Sequence, residues 1–121
     1  MTDVSFITKT MVTTVYDDLL LATTTWTPLQ KDYLVLKEIL ENKVSTALAN
    51  GSIEGKNADM RKANARDLYY EDYKGLALAK DSADLAKLSL DLAAIRKSHV
   101  LSLLRLAEII VQAEANEHPA E

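Results

Sequence analysis

The segment from Pro28 to Ala49 has the most regular pattern of apolar positions in the chain, with a spacing of three or four residues that is typical of an amphipathic helix. Thr27 can cap free backbone N–H groups, and Pro28 suits the first position of a helix. Asn50 and Gly51 then provide a left-handed stop. The pattern therefore predicts a helix over residues 28–49. Its apolar positions are Leu29, Tyr33, Leu36, Ile39, Leu40, Val44, Ala47 and Leu48.

The first 27 residues combine helical spacing with a composition that favours strands. Apolar residues fall three or four positions apart, which predicts a helix over residues 3–22. Nine threonines in this segment, together with Val, Ile, Phe and Tyr, lower the helix propensity, so a β-hairpin is the alternative. The apolar positions are Val4, Ile7, Met11, Val15 and Leu19.

The rest of the chain is predicted to be a linker, one long helix and a tail. Residues 50–57 contain two of the three glycines and form the predicted linker, and Asn57 is a good N-cap for the helix that follows. Beyond it there is no proline before Pro119, and the only glycine is Gly75. We therefore expect a helix over residues 58–115 and a solvated tail over residues 116–121.

The predicted third helix is long in comparison with a compact domain of this chain length. Unbroken, it extends about 87 Å at about 1.5 Å per residue. A compact domain of this size has a radius of gyration of only about 14 Å. The helix is therefore expected either to be kinked near Gly75 or to stay long within an elongated oligomer.

The third helix has two apolar seams, which we call the leucine seam and the alanine seam. At about 100° per residue they lie about 150° apart, so one partner helix would not cover both. The leucine seam follows a heptad pattern, interrupted by Asp81 and Ser102, and consists of Leu78, Leu85, Leu88, Leu92, Ile95, His99, Leu106, Ile109 and Ala113. The alanine seam, with Lys97 out of pattern, consists of Ala79, Ala83, Ala86, Leu90, Ala93, Val100, Leu104, Ala107 and Val111.

These patterns predict an all-α protein, a single helical domain over residues 1–121 with three main helices, in a helical bundle or a coiled-coil-like oligomer. Nineteen Leu and sixteen Ala against three Gly and two Pro agree with this class. A central helix in a monomeric bundle is the alternative to self-association. The oligomer interface is predicted at Leu85, Leu88, Leu92, Ile95, His99 and Leu106.

Composition excludes several kinds of chemistry. The chain has no cysteine, which excludes disulfides, thiolate metal sites and cysteine nucleophiles. His99 and His118 lack an H-E-x-x-H pattern, and we expect no metal site and no cofactor. A net charge of −4 argues against electrostatic binding of nucleic acid over the whole protein surface. No signal peptide or membrane span is recognisable, so a cytoplasmic protein without a membrane partner is expected.

Basic and aromatic residues are concentrated around the start of the third predicted helix. Cations, aromatic faces and the positive end of a helix can together bind phosphates or bases of nucleic acids and nucleotides, or a partner protein. The alternative is that the cations pair with nearby acidic residues and the tyrosines pack at the surface. The set consists of Lys56, Arg61, Lys62, Arg66, Tyr69, Tyr70 and Tyr73.

Two pairs of acidic residues indicate an alternative function, that of a metal-dependent enzyme. Glu38 and Glu41 lie one turn apart on the second predicted helix, and Asp81 and Asp84 do so on the third. Facing carboxylates from two helices suit Mg²⁺, and the all-α nucleotide pyrophosphatases use a related arrangement. The gap between the pairs is long for that family and its additional acidic helix pair is absent, so these residues are more typical of a solvated face.

The segment from Gly55 to Arg61 reads Gly-Lys-Asn-Ala-Asp-Met-Arg and precedes an Ala/Leu-rich helix. It resembles small helical proteins of phages and prophages, in which a G-K-N-A-x-x-R opening precedes a long amphipathic helix. The resemblance covers residues 51 to about 111 and implies an accessory role in DNA metabolism or counter-defence, without catalytic residues. A purely structural interpretation is that Gly55 frees the turn, Asn57 caps the helix and Arg61 bonds back to the linker.

The sequence therefore favours a non-catalytic, oligomeric binding or interaction protein. Its expected ligand is a partner protein or a phosphate group of a nucleic acid or nucleotide. The alternatives are the Mg²⁺-dependent nucleotide pyrophosphatase and a structural component of a virion or another assembly.

Overall fold

The computed structural model describes residues 3–117, and these form an all-α structure of three helices. Helix α1 spans Lys9–Ala49, α2 spans Ala58–Leu68 and α3 spans Tyr70–Glu117. The all-α prediction is confirmed. No strand occurs between residues 3 and 117, so the β-hairpin alternative for the N-terminal segment is wrong.

The first helix begins later than the prediction of residue 3, because local side-chain hydrogen bonds occupy the preceding residues. The Asp3 carboxylate accepts hydrogen bonds from the Ser5 N–H at 2.8 Å and the Ser5 hydroxyl at 2.9 Å, and they lower the pKa of Asp3. The Thr8 hydroxyl accepts from the N–H of Met11 at 3.2 Å and caps α1. The helix starts directly after this cap, at Lys9.

The sequence predicts separate helices over residues 3–22 and 28–49, but α1 runs through both segments, with Pro28 in its interior. The hydroxyls of Thr23 and Thr24 donate to the carbonyls of Leu19 and Leu21, at 2.8 and 2.9 Å. Threonine can satisfy its hydroxyl in this way inside a helix instead of ending it. The threonine-rich segment is thus compatible with a helix, and Thr27–Pro28 is not a helix start.

The linker prediction is confirmed at both of its ends. Helix α1 ends at Ala49, and Gly51 has a φ of 79°, in the left-handed region that a glycine adopts without strain. Asn57 is the N-cap of α2, and its side chain accepts a hydrogen bond from the N–H of Met60 at 2.9 Å. Turn and cap residues therefore set these two boundaries.

The predicted single helix over residues 58–115 is interrupted, but at Tyr69 and not near Gly75. Tyr69 has φ −109° and ψ 36°, outside helical geometry, and Gly75 lies inside the continuous α3. One glycine costs a helix only about 1 kcal/mol, so Gly75 alone cannot interrupt a helix of 48 residues. Helix α3 continues to Glu117, two residues into the predicted tail. The rest of that tail, with His118, lies outside the described residues.

The chain divides into two compact units, each built from parts of α1 and α3. The first unit contains residues 3–24 and 87–117 of the described chain, and the second contains residues 25–86. The single domain over residues 1–121 stays a prediction.

The second unit has a small apolar core where the linker meets the helices. Lys43 of α1 forms an ion pair with Asp72 of α3 at 3.3 Å. Leu36, earlier in α1, lines a cleft with Leu76, further along α3, so the two helices run antiparallel here. The core consists of Ala47, Ile53 and Ala65, with Val44 and Tyr69 packed against it.

In the first unit, α1 packs against the alanine seam of α3. The ammonium of Lys97, which interrupts this seam, lies 4.8 Å from the centre of the Tyr16 ring. This cation–π contact explains how a lysine occupies a position among small apolar residues. The buried residues of the unit are Val15, Ala93, Val100 and Ala107.

Candidate interaction surface on the third helix

The two seams of α3 differ sharply in their exposure. Members of the alanine seam that reach the core are between 1% and 8% exposed, namely Ala83, Ala86, Ala93, Val100 and Ala107. Small side chains let two helices approach closely, so this seam is the side on which α3 meets α1.

The leucine seam is left in solvent. In the second unit, Leu78 and Leu85 are exposed. In the first unit, the large apolar side chains are between 44% and 63% exposed, namely Leu88, Leu92, Ile95, Leu106 and Ile109. His99 is also exposed. All six residues of the predicted interface thus lie on an uncovered face, five of them in the first unit and Leu85 in the second.

We call the part of the leucine seam that lies in the first unit the leucine strip. Its members are Leu88, Leu92, Ile95, His99, Ser102, Leu106 and Ile109. The hydroxyl of Ser102 donates to the carbonyl of Ser98 at 2.9 Å, so this polar group is satisfied within α3. Covering the strip with another apolar surface would therefore leave no hydroxyl without a partner.

Charged residues of both signs flank the leucine strip. Asp91 is exposed on one side of it and forms an ion pair with Lys87, one turn earlier, at 2.9 Å. Arg96 and Arg105 are also exposed. An apolar strip with charged edges is the usual composition of a helix face that binds another helix.

A groove opens in the first unit between the start of α1 and the middle of α3. It has a volume of about 560 Å³, and Met11, Val15, Ile95 and Val100 give it apolar walls. His99 is at once a member of the strip and part of this groove. The groove could not be predicted from the sequence, because periodicity along one helix does not show which residues of another helix lie beside it.

The structure places the members of the predicted basic and aromatic set in different surroundings. A guanidinium N–H of Arg61 donates to the carbonyl of Gly55 at 3.3 Å, and Tyr69 packs against the core of the second unit. Tyr73 is half-buried, and the remaining members, Lys56, Lys62, Arg66 and Tyr70, are exposed. Phosphate binding by these exposed residues stays a prediction.

The structural interpretation of the G-K-N-A-x-x-R motif agrees with these contacts. Asn57 caps α2, and Arg61 bonds back to Gly55. A Cβ atom at Gly55 would lie 2.7 Å from the backbone nitrogen of Arg61, which only glycine avoids. Asn64 adds a hydrogen bond to the carbonyl of Glu54. The motif thus has a structural role at the start of α2.

The second unit has a more polar groove, which the sequence did not predict either. It has a volume of about 410 Å³ and lies beside the linker. Three of its polar residues have partners: Lys43 pairs with Asp72, and the side-chain amide oxygen of Asn50 accepts hydrogen bonds from the N–H and the hydroxyl of Ser52. The polar residues that line it are Asn42, Lys43, Thr46, Asn50, Ser52 and Tyr69.

The acidic pairs of the enzyme alternative are not brought together into a metal site. Within residues 3–117, no three His, Asp or Glu side chains are grouped so that they could hold a metal ion. Asp84 instead pairs with Lys80 at 3.7 Å, one turn away on α3. Glu38, Glu41 and Asp81 are exposed. The carboxylates therefore resemble a solvated face.

Comparisons with known proteins identify no relative of this chain. The chain matches no family model, and no curated protein or solved structure is significantly similar to it. Among the described residues, no helix combines the length and apolar character that crossing a membrane requires.

Proposed function

We propose that the protein is a non-catalytic interaction protein that works as an oligomer, with the leucine strip as its contact surface. The observation that carries the proposal is the contrast between the two sides of α3 in the first unit. One side is buried against α1, whereas the other presents five large apolar side chains to solvent. A contiguous apolar patch of this kind on a folded chain marks a surface that binds another protein.

The energetics of burial support this use of the strip. Fully burying one leucine or isoleucine side chain contributes about 1.5 to 3 kcal/mol relative to leaving it in water. Burying the exposed halves of five such side chains on each of two partners can therefore supply on the order of 10 kcal/mol. This is comparable with the cost of the lost translational and rotational freedom, about 4 to 15 kcal/mol. The proposal assigns no catalytic residue and requires no cofactor.

The cellular setting is part of the proposal and rests on sequence alone. Net charge and the lack of cysteine are consistent with the cytoplasm, and the G-K-N-A-x-x-R resemblance suggests an accessory protein of a phage or prophage. Whether the neighbouring genes encode virion parts or early functions would separate a structural component from an accessory protein.

Light scattering of two matched aspartate variants tests the contact surface. Leu92→Asp places a charge within the strip, whereas Ala94→Asp places the same charge at an exposed position of α3 outside it. We expect the unmodified protein and Ala94→Asp to have masses above the 13.4 kDa of one chain, and Leu92→Asp to have the mass of one chain. Equal masses for the two variants, with helicity retained, would show that the strip is not the contact surface.

A further inference from the structure

Two residues of opposite charge flank the leucine strip at heptad positions that can pair with each other across a contact. Asp91 lies on one side of the strip, and Arg96 lies on the other side, five residues further along α3. In a parallel, in-register pair of heptad helices, residues at these two flanking positions lie side by side across the contact. Asp91 of each copy then faces Arg96 of the other. A surface that is complementary to itself in this way fits an identical copy.

The polar residues inside the strip also match themselves. In a parallel, in-register pair, His99 faces His99 and Ser102 faces Ser102, while the apolar residues meet apolar residues. In an antiparallel pair centred on the same segment, Leu92 faces Ser102, Ile95 faces His99, and the two Arg96 side chains lie together. The antiparallel pair does bring Asp91 of each copy beside Arg105 of the other. Only the parallel arrangement, however, sets the polar residues inside the strip against polar residues and separates the two Arg96 side chains.

The strip is open to such a contact, because its five large apolar side chains are between 44% and 63% exposed.

We propose that the leucine strip binds a second copy of this chain, with the two α3 helices parallel and in register from Leu88 to Ile109. The contact is isologous, so each copy contributes the same residues and Asp91 pairs with Arg96 twice. This inference rests on the proposed function, because it names the occupant and the geometry of the surface assigned there.

Single-cysteine cross-linking tests this geometry in the full chain, which has no cysteine of its own. Ser102→Cys is nearly isosteric and places one thiol in the strip, where a parallel, in-register pair brings the two sulfur atoms together. Ala94→Cys, exposed outside the strip, is the control. In the antiparallel arrangement, the two introduced thiols of Ser102→Cys are about 15 Å apart along the helices, too far for a disulfide.

We expect mild oxidation to link Ser102→Cys into a covalent dimer on the order of tenfold or more faster than Ala94→Cys, because association raises the effective thiol concentration. Cross-linking only in a mixture of Leu92→Cys and Ser102→Cys would show an antiparallel contact. It would overturn this inference and leave the proposed function intact. A protein with an oligomeric mass but no link at Ser102→Cys would do the same. Equal slow rates for all variants, together with the mass of one chain, would overturn both.

Discussion

At the scale of single residues, the start of α2 depends on the contact between Gly55 and Arg61. The guanidinium of Arg61 donates to the Gly55 carbonyl, and the Arg61 backbone nitrogen leaves no room for a Cβ atom at Gly55. Gly75 is the opposite case, because a Cβ atom there would meet nothing within 4 Å. A close contact therefore requires glycine at position 55, whereas the space around Gly75 would accept a side chain.

The two glycines give a matched pair of substitutions. Gly55→Ala should lower the free energy of unfolding by about 1 to 3 kcal/mol, because the linker must shift to admit the methyl group. Gly75→Ala should raise it by about 0.5 to 1 kcal/mol, since alanine is the better residue inside a helix. Urea unfolding followed by circular dichroism measures both. A neutral Gly55→Ala would show that the Gly55–Arg61 contact is unimportant for stability.

At the scale of helices, the structure distinguishes the two seams that the sequence left equivalent. Leu104 belongs to the alanine seam and is half-buried, whereas Leu92 belongs to the leucine strip and is exposed. The same introduced charge therefore has different consequences at the two positions. At Leu104 it disturbs packing within the protomer, and at Leu92 it disturbs the proposed contact between protomers.

This difference predicts a large loss of stability for Leu104→Asp. Measured in a chain that already carries Leu92→Asp, so that dissociation does not contribute, the added substitution should cost about 2 to 4 kcal/mol. Adding Ala94→Asp to the same background should cost less than about 1 kcal/mol. Thermal unfolding followed by circular dichroism compares them. Equal losses would contradict the assignment of the alanine seam to the protomer core.

The helices could be predicted from the sequence wherever a local signal determines them. Asn50, Gly51 and Asn57 define the linker because their turn and cap chemistry acts within a few residues. Thr27 and Pro28 were misleading, because the local preference for a helix start is overridden along α1. The interruption at Tyr69 could not be predicted, since its side chain packs against the core of Ala47, Ile53 and Ala65, most of which is distant in sequence.

At the scale of the whole molecule, the candidate surface could be predicted in part. The heptad pattern identified the leucine seam, but pattern alone could not show which seam α1 covers. Helix α1 covers the alanine seam because small side chains let the two helices pack closely. The groove beside Ile95 and His99 is formed by the same packing of α1 against α3. The exposed apolar residues of the leucine strip form the surface that we propose for a second copy.

Sedimentation equilibrium of the unmodified protein, from micromolar to near-millimolar concentration at neutral pH, tests this account most directly. A chain that associates through the leucine strip should show a mass that rises with concentration from 13.4 kDa towards twice that value. The data should fit a monomer–dimer equilibrium. A mass of 13.4 kDa at every concentration would contradict the account, because the leucine strip would then stay in solvent.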